Sequence, residues 1–546
     1  MKRLPFIFMG MGLVTAVTLL ALFSHTGTAA PAATTYYVCD CQPGADGDCV
    51  AGSDANTGTS PSAPWQTYDK ARTVFNSTIQ AGDEIRFCDG GFFDLGGGNA
   101  MWFTQACTAV QPCTVANYTP PWASGNEGLP ILSRPIDDHA FDLSNPGDAL
   151  SSGGFIFQNL DLRCPGCTGA WGFLLYNDVN DLVIDNVRMD GFGIGIHLAG
   201  ANPCSSSDPL CDGQNDHITI SNVRITNGDH MGILGGANDL LIENSYFENN
   251  GGGTVFDHNI YVSSGTGITI RNNELYRSSL DGSGSCNGTS LVGHGVMTDL
   301  LIEGNVVRED VGKATQACWG IAITPAYGSA EVFTNVTIRG NRVENVGNMA
   351  IGTGSCLNCT IENNVIVNQQ AFGVTAVSVP AQSPQAGDAI SSNLVVRNNS
   401  IAVTTGIAIE VSSGSGHTIV SNAIQATASD SNWNCLHMPL AASSYNAIDY
   451  NVCGFDTGKW ALDVGDLAAW QSQGWGANSQ AADPGFASSS NLRPSTETAV
   501  LIKSGHPTLS SPTDFDGNVR AAPPAAGAYE WLVLDMAAWL PLVVTP

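Results

Sequence analysis

An all-β solenoid, a chain wound into stacked coils, is the fold this sequence predicts, and three observations predict it. The first is a phrase of eight residues that keeps returning: FIFQNLDL (155–162), LVIDNVRM (182–189), ITISNVRI (218–225), LLIENSYF (240–247), ITIRNNEL (268–275) and LLIEGNVV (300–307). It continues through VTIRGNRV (336–343), CTIENNVI (359–366), LVVRNNSI (394–401), HTIVSNAI (417–424) and NAIDYNVC (446–453), with copies starting 22 to 36 residues apart. A fixed short strand on a variable period marks a solenoid whose loops change length while its core does not. The second is composition: 62 Gly and only 13% charged residues suit short strands joined by tight turns. The third is the phrase itself, whose first, third and last positions stay apolar, as in Leu182, Ile184 and Met189 or Val336, Ile338 and Val343.

Taken in chain order, Lys2 and Arg3 followed by an apolar run from Leu4 to Phe23 read as a secretory signal peptide, residues 1–32, with Ala30-Pro31-Ala32 as cleavage site. Residues 33–150 are assigned to an N-terminal cap and first coils, 151–455 to the repeats and 456–546 to a closing segment and tail. No later segment is long and apolar enough to span a bilayer. Sixteen cysteines suit an oxidising, extracellular or cell-surface location. The CxxC pairs Cys164/Cys167 and Cys356/Cys359 have zinc-like spacing, but export favours disulfides. Cys204 with Cys211 and Cys435 with Cys453 would staple loops, and Cys286 with Cys318 would tie neighbouring coils. A formal charge of −29 speaks against nucleic acid as a partner. A monomer is expected.

Each coil should carry distinct columns. Asn186, Asn222, Asn244, Asn305, Asn341, Asn364 and Asn399 fall at a corner, where Asn tolerates left-handed backbone and can bond its counterpart on the next coil. The fourth position points outward and reads Glu243, Arg271, Glu303, Arg339, Glu362, Arg397, so opposite charges stack about 4.8 Å apart in a ladder. A second strand follows in each coil: IGIH (194–197), MGIL (231–234), HNIY (258–261), HGVM (294–297), WGIA (319–322), MAIG (349–352) and FGVT (372–375). Its third position is expected inside and its fourth outside. Long loops at 248–257, 276–293 and 308–318 would wall a cleft over it.

These coiled phrases with Asn corners resemble right-handed parallel β-helix proteins of the pectate-lyase-like superfamily, over roughly residues 34–530. YYV (36–38), GSDANTGTSPSAPWQT (52–67) and AGDEIRF (81–87) look like the N-terminal capping segment, with a short helix near residues 66–75. DPGF (483–486), NLRPSTETAVLIKSG (491–505) and TDFDGNVRAAPPAAGAYE (513–530) look like the C-terminal closing segment. The resemblance implies an exported protein acting on polysaccharide, as a lyase, hydrolase or epimerase, or a non-catalytic adhesin.

The leading expectation is a polysaccharide lyase acting by β-elimination on a uronan, which needs a base, an acid and a group to neutralise the carboxylate. Tyr261, His258 and His294 are the candidate acid and base, with Asp257 orienting His258. Asn259, Arg308, Lys313 and His197 are the candidate substrate-binding residues. Asp281, Glu309 and Asp310 are candidate calcium ligands, since hard cations take carboxylate oxygens. By the parity of its strand, His258 and His294 would turn inward as core histidines unless they sit on the bend. A glycoside hydrolase, which uses two carboxylates, is the alternative. A non-catalytic cell-surface or adhesion protein is another.

Overall fold

The computed structural model describes residues 32–531 except 98–99, 103, 105, 145–151, 201–212, 383–384 and 386. The expected signal peptide, the Cys204–Cys211 pair and the tail beyond residue 531 lie outside the described residues. Every ladder between named strands is parallel, and the strands fall into a sheet of 25, a sheet of 15 and a two-stranded pair. The protein is a parallel β-helix.

The recurring phrase turns out to be two strands rather than one. Thr269–Arg271 and Glu274–Tyr276 belong to one copy, and each pairs with its counterpart a coil away. Two adjacent residues make the corner between them, and they do different work. The first takes positive φ: Asn186, Asn222, Asn244, Asn272, Asn363 and Asn398 all lie at φ 50–55°, the left-handed region that Asn tolerates best after Gly. The second is buried. Asn273, Asn305, Asn341, Asn364, Asn399, Asn422 and Asn451 form a continuous amide ladder, each Nδ2 donating to the next coil's Oδ1 at 3.0 Å. Of the Asn expected at the corner, Asn186, Asn222 and Asn244 thus shape the backbone, whereas Asn305, Asn341, Asn364 and Asn399 cross-link coils.

The apolar positions of the phrase fill the interior, with Leu182, Ile184, Ile270, Ile338 and Val343 all fully buried. The charged column stacks as expected: Arg271 reaches Glu243 at 2.7 Å, Arg339 reaches Glu303 at 2.6 Å and Arg397 reaches Glu362 at 2.7 Å. Helix Tyr68–Ser77 buries Tyr68, Ala71 and Phe75, spaced along one helical face, and Thr67 caps it by accepting from the Lys70 amide. Seven disulfides occur among the described residues; Cys164–Cys167, Cys356–Cys359, Cys286–Cys318 and Cys435–Cys453 are four of them. At the other end the closing segment folds back along the coils, where Ser511 meets Asn363 and Asn398, and the Ala528 amide reaches Ser400.

Candidate functional site

The 15-stranded sheet presents one outward column whose members differ from coil to coil: His197, Leu234, Tyr261, Val292, Ala322, Gly352, Ser378, Glu410 and His437. Two parts of the expected register need correction. Ile260 pairs with Leu291, not Val296, and Ser263 pairs with His294. Farther on, Ile351 pairs with Val377, not Val374. The segments HGVM and FGVT mimic the repeat through a Gly beside an aliphatic residue, and the loops before them are too variable to fix alignment. The first shift is odd in number, so it exchanges the two faces. Met297 goes into the core while Val296 is 53% exposed, and His294 turns to the same face as Tyr261.

Two cavities lie end to end over this face, sharing Trp319 and Thr324 in their walls. The first, about 260 Å³, is bounded by Val255 and Phe256 from one loop, Tyr327 and Ala326 from another, and His258, Val292, His294 and Ala322. His258 begins its strand, so its ring sits on the bend and lines the cavity instead of joining the core. Its Nδ1–H donates to the Thr289 carbonyl at 2.8 Å, which fixes the tautomer and leaves the Nε2 lone pair for the cavity. Burial pushes its pKa down to about 4, so the ring is neutral. His294 donates from Nδ1 to Glu331 Oε1 at 3.1 Å, and burial lowers its pKa as well.

Tyr261 packs between the two imidazoles, 5.6 and 5.5 Å from their centroids, and its hydroxyl donates to Tyr327 at 3.4 Å. Burial, followed by that bond, holds the Tyr261 hydroxyl well above its ordinary pKa. It therefore stays protonated, which suits a donor and not a base.

The second cavity, about 450 Å³, is lined by Trp319, Pro325, Met349, Thr375, Ser378, Gln382, Asp388 and Glu410 among others. Glu410 is an outward strand residue that accepts from Ser412 at 2.9 Å and Ser378 at 3.2 Å, with His437 Nδ1 at 3.2 Å. The far nitrogen of His437 lies 3.5 Å from Asp463. Asp388 is anchored by the amides of Glu331 and Gln385. Glu331 is fully buried and ties the wall loop together: it accepts from His294, from the Gly295 amide and from the amides of Ala326 and Tyr327. Among the described residues, no Lys or Arg lines either cavity.

Sequence reasoning missed Trp319, Tyr327, Glu331, Asp388, Glu410 and His437. The signal for Glu410 and His437 was present: the second strand continues as GIAIEV (406–411) and NCLH (434–437), with Glu410 and His437 outward by period two. The loops that carry Tyr327, Glu331 and Asp388 follow the strand and have no periodicity to reveal them.

The other expected residues do not join the groove. Asp257 does not hold His258; its carboxylate accepts from Thr254 Oγ1 and the Gly252 amide and faces His230, closing its own loop. Asn259 is fully buried, bonded to Asn250 and Ser290. Arg308 belongs to the 25-stranded sheet, paired with Glu274 and lying 3.6 Å over the Tyr276 ring. Lys313 Nζ donates to the Ser283 carbonyl. His197 shares the Tyr261 column two coils away, edge-on to Trp171, and its pKa is pushed down to about 4 by burial.

The three carboxylates assigned to calcium do not converge either, since they form no ligand cluster among the described residues. Asp281 is taken up by Ser283 and Ser285. Asp310 is taken up by Tyr276 and Arg277. Glu309 is buried with one unpartnered oxygen, and burial pushes its pKa up to about 8. A protonated acid and an Arg-paired acid do not fit a shared hard cation.

No family model and no curated protein matches the chain. Solved structures do align with it. The Dettilon tailspike protein aligns at 10% identity and TM-score 0.46, over 69% of this chain and 66% of that one. The PL6 family alginate lyase AlyGC aligns at 12% identity and TM-score 0.46, over 84% and 57%. Pectate lyase Pel9A aligns at 13% identity and TM-score 0.38, over 92% and 97%. The chain thus spans less than two thirds of the tailspike and the alginate lyase. At these identities and TM-scores the likeness carries no argument, and the parallel β-helix rests on the strand pairing itself.

Proposed function

We propose that the protein binds a polysaccharide along the outer face of the 15-stranded sheet and hydrolyses it at the cavity holding Glu410 and Asp388. One observation carries this reading: among the described residues the groove offers two carboxylates and an indole platform, and no cationic Lys or Arg. Elimination from a uronan requires the sugar carboxylate to be neutralised as its neighbouring proton leaves. The side chains expected to do that, Arg308 and Lys313, are engaged elsewhere, and a high pKa disqualifies Tyr261 as the base. Hydrolysis asks for two carboxyl groups flanking the glycosidic bond, one donating a proton to the leaving oxygen and the other activating water or attacking the sugar. Glu410, held between two serine hydroxyls and His437, and Asp388, held by two amides, supply them. Trp319 borders both cavities, so its flat ring can carry sugar faces from one to the other. A chain of charge −29 also favours a neutral glycan over a polyanion. Screening the purified protein against neutral and acidic polysaccharides tests this. New reducing ends without the ultraviolet absorbance of unsaturated uronates support hydrolysis, whereas that absorbance, or full activity in Glu410→Gln, refutes it.

A further inference from the structure

We infer that the smaller cavity, beside His258, is a subsite for a sugar residue carrying an acetamido group. This rests on the glycan reading above and specifies what the glycan bears. At about 260 Å³ the space suits one sugar residue, being at the low end of ligand pockets. Its walls are largely apolar: Val255, Val292, Ala322 and Ala326 give a surface for a methyl group. Phe256, 71% exposed at the lip, offers a ring to a sugar face.

Beside Thr289, Thr324 and His294, the lining holds two polar groups of defined sense. His258 Nε2 is an acceptor, because the Nδ1 proton is fixed on Thr289. The neutral state agrees with its surroundings, where burial outweighs the one nearby carboxylate, Asp257, and the other titratable neighbour, His294, also lowers it. The Tyr327 hydroxyl accepts from Tyr261 and so keeps its own proton to donate. An acetamido group has one N–H, one carbonyl and one methyl, which match the acceptor, the donor and the apolar wall.

Other sugars fit less well. A plain hydroxyl in place of the amide leaves the wall uncovered and one polar partner unmet. Among the described lining residues there is no Asp or Glu to meet a free amine's buried cation, and no Lys or Arg to meet a uronate's buried anion.

Saturation-transfer NMR on the intact protein tests the inference, with N-acetylglucosamine, N-acetylgalactosamine, glucosamine, glucuronate and glucose as probes. The acetyl methyl should be the most strongly saturated group, and the N-acetyl sugars should bind about tenfold or more tighter than the others, the discrimination one paired polar group gives. Ala322→Phe, which fills the cavity, and His258→Phe, which removes the acceptor, should each abolish the methyl signal with the melting temperature retained. Equal binding of glucose, or a methyl signal that survives both variants, overturns the inference. Hydrolysis with no acetyl preference would sink this subsite alone, while acetyl-selective binding with full activity in Glu410→Gln would sink the catalytic reading alone.

Discussion

Two columns of side chains run along the coils, and they differ in kind. On the 25-stranded sheet, Glu243, Arg271, Glu303, Arg339, Glu362 and Arg397 alternate in charge, and neighbours neutralise each other within 2.7 Å. On the 15-stranded sheet, Tyr261, Val292, Ala322, Gly352, Ser378 and Glu410 have no common chemistry. Both are built by the same parallel stacking. A column that satisfies itself has nothing left for a ligand, while one that never repeats leaves unlike groups side by side. Repetition makes scaffold; its failure makes a site.

The strongest blow to that contrast should come from the buried amide ladder, the repeated column at its most complete. Asn341 donates to Ile302 and Asn364 and accepts from Asn305. Asn341→Ala strands these partners, so a loss of about 3 kcal/mol or more is expected in denaturant unfolding. A change below about 1 kcal/mol would show that the ladder is ornamental.

Glu410→Gln should do the opposite. Turnover should fall about 100-fold or more, the usual worth of an acid–base group, while the thermal midpoint stays put. Equal losses in stability and turnover would place Glu410 in the scaffold.

A smaller, pH-dependent effect is expected at Glu309, a buried acid with one oxygen bonded to the Ser278 amide and the other unpartnered. Glu309 has its pKa raised from 4.5 to about 8, so the folded protein holds a proton that the unfolded chain releases. That contribution opposes folding progressively as pH rises from about 4.5 to about 8 and is constant beyond, by linkage. Glu309→Gln mimics the protonated acid, so it should raise the midpoint by about 4 °C at pH 9 and leave it unchanged at pH 4. A gain of equal size at both values would contradict this.

The least effect belongs to the charged column. Both side chains of the Arg339–Glu303 pair are more than a third exposed, and solvent screens them. Arg339→Ala should cost under about 1 kcal/mol, with the difference shrinking at high salt. A large, salt-insensitive loss would mean that this face is more than a solvated ladder.

How much could be read from the residues alone follows the same division. The charged column and the core positions Leu182, Ile184 and Ile270 are legible because each copy repeats the last. The Asn corner was half legible: composition marks it, but not that neighbouring residues bend the chain and bond the coils separately. His258, His294 and Tyr261 were found as a group, yet His294 reached the right face only after a register shift that loop length conceals. Glu410 and His437 are legible as well, because the same alternation turns both outward. Tyr327, Glu331 and Asp388 were not, since irregular loops encode their positions in tertiary bonds.

The closing segment has a mechanical consequence. It doubles back so that Arg520 grips Asn363, Ser511 grips Asn398 and Ser510 grips Ser421, three coils short of where the winding ends or nearer. Tension applied at the C-terminus would load these cross-bonds together, in shear, before the last turn could peel away. The stacked body is thereby clamped from its flank, and its final turn is shielded from the pull.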